Sequence, residues 1–342
     1  ARRPEAGRSE GRCRLRGQVI MSTYRLPDNV HFGAVRLRVA DLDRSLEFYV
    51  DTLGFRPVHQ EAGEAPLAGE GEPERPGAGE DAASETPEAR QAARSTAREA
   101  SLSATGELPA QVHLVERPGA RPRPRGTAGL YHFAVLVPSR KDLARVLVHL
   151  RERGWPLQGA SDHAVSEALY LADPDGNGIE IYVDRPRESW PRQDGEIAMT
   201  TLPIDLRGLL AELPAEPEPW SGLAAGTTIG HIHLHEPSLA AAERFYHDTL
   251  GFDVVTRRYP GALFLAAGGY HHHVGTNIWA GEGAPPTPED AAGLVDYELV
   301  VPDAADRTRL LDHLRETGVE PVQTPAGFRV RDPAGVDVVI RG

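Results

Sequence analysis

The sequence is nearly free of cysteine, since Cys13 is the only one in 342 residues. A single cysteine excludes a disulfide framework within the chain, and it excludes zinc or iron–sulfur sites built on several thiolates. We therefore expect a reducing compartment, the cytoplasm. The sequence also lacks an uninterrupted apolar run of about 18 residues, so we expect no transmembrane helix and no membrane partner.

Three common functional signatures are missing as well: a Gly-rich phosphate loop, a nucleophile elbow and a Rossmann fingerprint. Acidic residues outnumber basic ones, 50 against 37, which gives a net charge of -13. Nucleic acids are polyanions, so this balance argues against a nucleic-acid partner. Hydrophobic residues make up 40% of the chain. Its length allows about two domains of roughly 100–200 residues each.

An internal repeat defines the organisation of the chain. Residues 32–55 read FGAVRLRVADLDRSLEFYVDTLGF, and residues 229–252 read IGHIHLHEPSLAAAERFYHDTLGF. In both segments an alternating strand pattern changes into a helical one. Gly54 and Gly251 follow the helical pattern and are expected to end the two helices. Each segment therefore predicts a strand, a helix and a following strand.

A second, weaker repeat lies between these segments and after them. Residues 129–154 and 293–318 share a strand, the dipeptide VP, a helical pattern and the ending HLRE-x-G. Both continue into further strands joined by a DP-x-G sequence, at 173–176 and 332–335, which is typical of a type I turn. The chain therefore holds four modules, which we name A, B, A′ and B′ in chain order.

Three stretches do not belong to the modules. Residues 1–28 are predicted to be a disordered tail. Residues 60–100 are rich in Glu, Ala, Gly and Pro, and they are predicted to be a disordered insertion because they contain few large apolar side chains. Residues 186–225 are predicted to link a first domain, 29–185, to a second domain, 226–342.

Several segments together resemble the vicinal oxygen chelate superfamily, which includes glyoxalase I, bleomycin resistance proteins and extradiol catechol dioxygenases. The ending FY-x-DTLGF carries that resemblance, while GLYHFAVLVPSR, DGNGIEIY and GGYHHHVGTNIWAGEGAP resemble the catechol-2,3-dioxygenase-like branch. The resemblance implies an α+β fold of four βαβββ modules. These would form two glyoxalase/dioxygenase-like domains with curved mixed sheets. It also implies a homo-oligomer.

The same resemblance implies a divalent metal held by side chains on the first and last strands of two modules. Module B offers His132 on its first strand and Glu180 on its last, and module A′ offers His231 on its first strand. In the other two modules, Ala34 and Asp296 stand at the places of His231 and His132. Two imidazoles and one carboxylate suit non-haem Fe(II), with Mn, Ni or Zn as alternatives. This set requires module B to pair with module A′, within the chain or across a dimer.

Candidate catalytic residues lie near this predicted set. The run His271–His273 is predicted on the last strand of module A′, and His272 or His273 is the candidate general acid or base. Adjacent residues of a strand face opposite sides, so only one of the two can point towards the metal. Tyr170 resembles the family tyrosine that hydrogen-bonds the ring-cleavage intermediate.

Other histidines are expected to have no part in the site, because an isolated histidine on a strand is more often structural than a ligand. His113 and His163 are expected to be structural. His233 and His235 are expected on an exposed face of a strand.

The predicted function is extradiol ring cleavage of a catechol-like aromatic diol with non-haem Fe(II) and O₂. A glyoxalase-like lyase or isomerase, using Ni, Zn or Mn, is the first alternative. A ligand-sequestering resistance protein without metal is the second. The run of three histidines beside a single ligand glutamate favours the oxygenase, and the retained ligand set argues against the sequestering protein.

Overall fold

The computed structural model describes residues 24–58, 98–216 and 218–342. Most of the predicted tail and most of the predicted insertion therefore lie outside the described residues. At their edges, Leu26 is buried in the core and a strand begins at Glu99.

Strands and short helices alternate along the described residues. The strands are β1 (His31–Val39), β2 (Arg56–Pro57), β3 (Glu99–Ser103), β4 (Val112–Glu116), β5 (Gly129–Leu136), β6 (Gly159–Asp162), β7 (Ser166–Ala172), β8 (Gly178–Asp184), β9 (Arg192–Gln193), β10 (Glu196–Ile197), β11 (Leu202–Pro203), β12 (Thr228–His235), β13 (Asp253–Thr256), β14 (Ala262–Ala266), β15 (Val274–Asn277), β16 (Gly293–Val300), β17 (Val322–Thr324), β18 (Gly327–Arg331) and β19 (Asp337–Arg341). The α-helices are Leu42–Leu46, Arg140–Glu152, Leu206–Leu210, Leu239–Glu243 and Ala304–Glu316, and Arg187–Ser189 is a 3₁₀ turn.

The helices of modules A and A′ begin and end in the same way. Their N-caps, Asp41 and Ser238, accept hydrogen bonds from backbone N–H groups of the first turn. Both helices continue into a π-helical turn, Glu47–Thr52 or Arg244–Thr249, which contains the shared FY-x-DT sequence. The glycines that follow, at 54 and 251, have φ of 89° and 91°, a conformation that favours glycine. The predicted helix ends are confirmed.

The four modules form two large mixed sheets. Modules A and B′ form an eight-stranded sheet with the order β17-β18-β19-β16-β1-β4-β3-β2. Modules B and A′, with one strand of the predicted linker, form a nine-stranded sheet with the order β11-β6-β7-β8-β5-β12-β15-β14-β13. We name these the A/B′ sheet and the B/A′ sheet. The strand-rich, helix-poor architecture confirms the predicted α+β fold class.

Each sheet joins one module from each half of the chain. In the B/A′ sheet the two modules meet where β5 pairs antiparallel with β12. In the A/B′ sheet they meet where β1 pairs antiparallel with β16. Modules B and A′ thus pair within one chain. Each sheet draws strands from both proposed domains. The domain boundaries at 29–185 and 226–342 remain a prediction.

The two sheets are also held together through the repeated motifs. Tyr49, from the FY-x-DTLGF ending of module A, donates a hydrogen bond at 3.0 Å to Asp173 in the DP-x-G turn of module B. Tyr246 of module A′ makes the same bond to Asp332 of module B′ at 2.8 Å. All four side chains are buried. Modules of one half therefore share these polar contacts, while modules of opposite halves share a sheet.

Candidate metal centre

The predicted ligands lie on three neighbouring strands at the middle of the B/A′ sheet. His132 is on β5, Glu180 on β8 and His231 on β12, and β5 lies between the other two. Ala134 of β5 is in register with Glu180 on one side and with His231 on the other. His132 precedes Ala134 by two residues and therefore projects from the same face of the sheet. The strand register thus brings the three side chains together.

The three side chains meet at a single carboxylate oxygen. Oε2 of Glu180 lies 3.0 Å from Nε2 of His132 and 3.1 Å from Nε2 of His231. One ligand atom from each residue lies within 4.8 Å of the other two. Two ligands that bind one ion at about 2.1 Å and at right angles are about 3.0 Å apart. The spacing around Glu180 therefore fits a shared metal ion.

Burial makes this group ready to bind a metal. His132, Glu180 and His231 are 6%, 3% and 1% exposed. Burial lowers the pKa of His231 to about 4, although the Glu180 carboxylate opposes this shift. Burial alone would raise the pKa of Glu180, but the adjacent His231 and His132 hold it well below its usual range. A neutral imidazole beside a carboxylate is the state that coordinates a cation.

An unpaired nitrogen supports the metal interpretation. Nε2 of His132 is buried and makes no hydrogen bond to any described residue, although it lies near Glu180. A buried polar atom without a partner is costly in a folded protein. A divalent ion bound between the three side chains would accept this lone pair. Two histidines and one carboxylate form the facial set of non-haem Fe(II) sites, so the residues fit the predicted iron.

His132 and Glu180 line a cavity of about 320 Å³, and His231 contacts Glu180 beside it. Aromatic side chains form much of the remaining wall: Tyr131, Tyr170, Tyr259, Phe264 and Trp279. A mainly apolar, concave site with a few converging polar groups is the usual form of a small-molecule site. The arrangement can therefore hold a flat organic ligand beside the metal ligands.

Tyr170 reaches the cavity from β7, where it is in register with Glu180 of β8. Its hydroxyl lies 2.7 Å from Nε2 of His163, whose Nδ1 lies 2.6 Å from the carbonyl oxygen of Thr200. A carbonyl only accepts, so Nδ1 of His163 carries a proton, and in the neutral ring Nε2 accepts the Tyr170 proton. Burial, followed by the Glu180 charge, raises the pKa of Tyr170 well above its usual range. Tyr170 is therefore a neutral phenol.

The three consecutive histidines lie just before β15 rather than on it, and each has a different environment. The His272 ring lies 4.1 Å from that of His231 and lines the cavity. His273 packs outside the cavity, 4.9 Å from the ring of Tyr270, and accepts a hydrogen bond from the backbone of Ala267. The fully buried His271 lies 2.8 Å from Asp184. The structure thus brings His272, but not His273, into the site.

Two cavity residues were missed by sequence reasoning. His233 is only 4% exposed and lines the cavity, so the expected exposed position is wrong. The interpretation of His163 as merely structural missed its bond to Tyr170. The sequence carried one usable signal, because His233 shares a strand face with His231 by simple alternation. His163 carried no comparable signal, since it lies in the turn between β6 and β7.

Comparisons with known proteins agree with this fold. The chain belongs to the Glyoxalase/Bleomycin resistance protein/Dioxygenase superfamily, whose family model matches residues 31–181 and 228–340. Within it, the chain falls in the catechol-2,3-dioxygenase-like branch. It is 42% identical over 310 residues to catechol-2,3-dioxygenase of Bacillus subtilis (strain 168), covering 90% of this chain and 95% of that protein.

A second curated relative is more distant. Biphenyl-2,3-diol 1,2-dioxygenase 2 of Rhodococcus globerulus is 35% identical over 130 residues, which cover 36% of this chain and 64% of that protein.

Solved structures support the fold. A crystal structure from Bacillus subtilis subsp. subtilis str. 168 has a TM-score of 0.55 at 12% identity, covering 93% of this chain and 86% of that one. A glyoxalase I mutant from Zea mays has a TM-score of 0.50 at 14% identity, covering 91% and 93%. In the described part of the chain, no helix is both long and apolar enough to cross a bilayer.

Proposed function

We propose that this protein is an extradiol dioxygenase that cleaves the ring of a catechol-like diol with non-haem Fe(II) and O₂. The observation that carries the proposal is the buried set of His132, Glu180 and His231, of which His132 and Glu180 line an aromatic cavity. The similarity to a catechol-2,3-dioxygenase over most of both chains supports it.

The reaction needs no external reductant. It breaks one carbon–carbon bond beside the diol and places both atoms of O₂ in the ring-opened product. Bound Fe(II) supplies open positions for the diol oxygens and O₂, together with the redox chemistry of oxygen activation. The protein side chains bind and orient the ring, exclude water and move protons.

His272 is our candidate for the general base, and its neighbours favour that role. Nε2 of His271 lies 2.8 Å from the Asp184 carboxylate, which can only accept, so this nitrogen carries a proton. In a neutral His271 ring, Nδ1 then accepts from Nδ1 of His272, at 2.8 Å. Nε2 of His272 is left without a proton and is the atom that would take one from a diol hydroxyl.

Tyr170 is proposed to accept a hydrogen bond from the bound substrate through its phenol oxygen. Its own proton is directed to His163, so its lone pairs remain available to a ligand hydroxyl. His163 in turn is held by the carbonyl of Thr200. The pair would orient the diol and transfer a proton between substrate and His163.

The cavity favours an uncharged ring. None of its described lining residues is a lysine or arginine, and its one carboxylate is Glu180. Burial lowers the pKa values of His233 and His272 well below their usual range, so neither ring offers a positive charge. A carboxylate on the substrate ring would be desolvated without a counter-charge. A cavity of about 150 Å³ holds benzene, so 320 Å³ leaves room for an apolar ring substituent.

Anaerobic loading with Fe(II), followed by catechol and then air, tests the proposal. We expect a yellow ring-fission product that requires both iron and O₂, and faster turnover of catechol and alkyl catechols than of carboxylated ones. Glu180→Gln is the inactive control. Tightly bound metal without colour from any uncharged diol would sink the dioxygenase and favour a metal-dependent lyase. Absence of bound metal would favour the sequestering protein.

A further inference from the structure

His233 is a buried cavity residue to which the proposed mechanism gives no task. It lies on β12, two residues after His231 and on the same face. Its ring lies 5.0 Å from that of His132, nearly perpendicular to it. It is not part of the metal-ligand set found among the described residues. His233 is therefore an imidazole of the cavity wall that lies beside the ligand His132 without belonging to the ligand set.

The hydrogen bonds of Asn277 fix the orientation of its side-chain amide. Oδ1 of this fully buried residue lies 3.0 Å from the backbone nitrogen of Trp279 and 2.7 Å from Nδ1 of His235. A backbone N–H can only donate, so the atom it faces must be the amide oxygen. The amide nitrogen, Nδ2, therefore points the other way, towards His233.

This orientation determines the protonation of His233. Nδ2 of Asn277 lies 3.0 Å from Nε2 of His233 and donates to it. Nε2 must then carry a lone pair, and a neutral imidazole that accepts at Nε2 holds its proton on Nδ1. Because Nε2 is occupied, His233 is not free to coordinate a metal through that atom. In the described part of the chain, Nδ1 has no hydrogen-bond acceptor, so its proton is available to a ligand.

Strand β15, which lies beside His233, leaves room for the imidazole ring of His233. Gly275 of β15 is in register with His233. A Cβ on Gly275 would lie 2.9 Å from Cγ and 3.1 Å from Nδ1 of the ring, closer than side-chain contacts allow. The two β15 residues that meet His233 therefore have separate tasks: Gly275 leaves room for the ring, and Asn277 orients its proton.

We propose that His233 is a substrate-binding residue whose Nδ1–H donates a hydrogen bond to an oxygen of the diol bound beside His132. This rests on the proposed function for the identity of the ligand. The hydrogen-bond geometry of Asn277 is independent of it. The residue would raise affinity for the diol and orient it, without holding the metal.

Two substitutions at His233 distinguish the role of Nδ1 from that of Nε2. In His233→Asn the amide nitrogen stands near the place of Nδ1, so a donor to the ligand is kept. In His233→Gln the amide reaches the place of Nε2, so the contact with Asn277 is kept and the Nδ1 donor is lost. His113→Gln, in the A/B′ sheet, is the matched control for loss of a partly buried histidine.

The test uses the full chain loaded with Zn(II), which is redox-inactive, so diol binding is measured without turnover. Calorimetry with catechol should show a Kd about tenfold higher for His233→Gln, the effect of losing one hydrogen bond. His233→Asn and the control should stay within about threefold of the parent protein. Zinc content should be equal in all of them. A loss of zinc in His233→Gln, or equal Kd values for the Gln and Asn variants, would overturn the proposal.

A second readout reports the proton itself. Long-range ¹⁵N–¹H spectra of ¹⁵N-histidine-labelled protein, assigned by comparison with His233→Asn, should show the Nδ1–H form of His233. In Asn277→Asp the new carboxylate accepts from Nε2, and the spectrum should change to the Nε2–H form. An Nε2–H form in the parent protein would contradict the proposal. If catechol binds as expected but Fe(II)-loaded protein opens no ring, the dioxygenase fails and the role of His233 stands.

Discussion

Glu180 is the residue on which the candidate metal centre depends most. Its Oε2 lies near both ligand histidines, and it is the only carboxylate in the described cavity wall. Without it, two buried neutral imidazoles would have to hold a divalent ion without a compensating charge. The negative charge, and not only the shape of the side chain, is what the site requires.

The first prediction therefore concerns Glu180→Gln, which keeps the shape and removes the charge. We expect metal affinity to fall at least about 100-fold, with activity lost in parallel. Elemental analysis after dialysis against a weak chelator measures this, with His113→Gln as the control. Normal iron content in Glu180→Gln would show that the ion, if any, binds elsewhere.

The second prediction compares His272 with His273. Both were candidates from the sequence, but only His272 lines the cavity. We expect His272→Gln to keep its metal and to lose about 10²- to 10⁴-fold in kcat, the usual contribution of a general base. His273→Gln should lose much less. Equal losses in stopped-flow turnover of catechol would contradict this assignment.

At the scale of the elements, the chain differs at the ends of the repeated strands β12 and β1: Glu236 directly follows β12, whereas β1 ends at Val39. The alignment of the two repeats places Glu236 opposite Val39, and both residues are fully buried. Neither carboxylate oxygen of Glu236 has a hydrogen-bond partner among the described residues. Burial and the nearby Asp332 raise its pKa. Asp332, whose pKa is also raised by burial, accepts a hydrogen bond from Tyr246, which is bonded to Tyr297.

The third prediction follows from the sign of these shifts. A raised folded-state pKa means that folding retains a proton which the unfolded chain releases, so stability falls as pH rises above the unfolded value near 4.5. Glu236→Val should therefore be more stable than the parent protein at pH 8, by about 1–3 kcal/mol. The difference should shrink towards pH 5.

Chemical unfolding across this pH range measures the effect, with Glu236→Gln as the variant that cannot ionise. Parallel pH profiles for the parent protein and both variants would show that Glu236 is not held neutral in the fold.

At the scale of the whole molecule, the two sheets share a topology but not a chemistry. In the A/B′ sheet, Asp296 and Arg36 stand where His132 and His233 stand in the other sheet, and they form an ion pair at 3.4 Å. Glu298 of the same sheet is paired with Arg341 at 2.8 Å. In the A/B′ sheet these carboxylates are paired with arginines. In the B/A′ sheet the carboxylate of Glu180 faces two histidines instead.

The fourth prediction tests the pairing of modules within one chain. Glu180 belongs to module B and His231 to module A′, and one chain supplies both. Co-expressed Glu180→Gln and His231→Gln chains should therefore form no working site in any assembly. If modules were exchanged between subunits, mixed oligomers would regain intact sites. Recovery of metal and activity in the mixture would contradict the within-chain pairing. The oligomeric state itself remains a prediction.

How much of the site the sequence predicted depended on the kind of signal each residue carries. His132, Glu180 and His231 were predicted because they stand on first and last strands of modules B and A′, where the family resemblance implies ligands. The strand register then brings their side chains together. His272 and His273 could not be separated, because they lie before β15, where the backbone does not alternate as a strand does. His163 meets Tyr170 across a turn, and no periodicity predicts such a contact.

The sequence by itself determined the four modules, because repeats and alternating patterns are local properties of the chain. The α+β class and the candidate ligands were predicted from its resemblance to the vicinal oxygen chelate superfamily. Only the tertiary structure decided which modules share a sheet, which histidine of the run enters the cavity and which proton His233 holds. Those outcomes depend on contacts between residues far apart in the sequence. The bond from Asn277 to His233, on strands of one module, and the pairing of β5 with β12 are both of this kind.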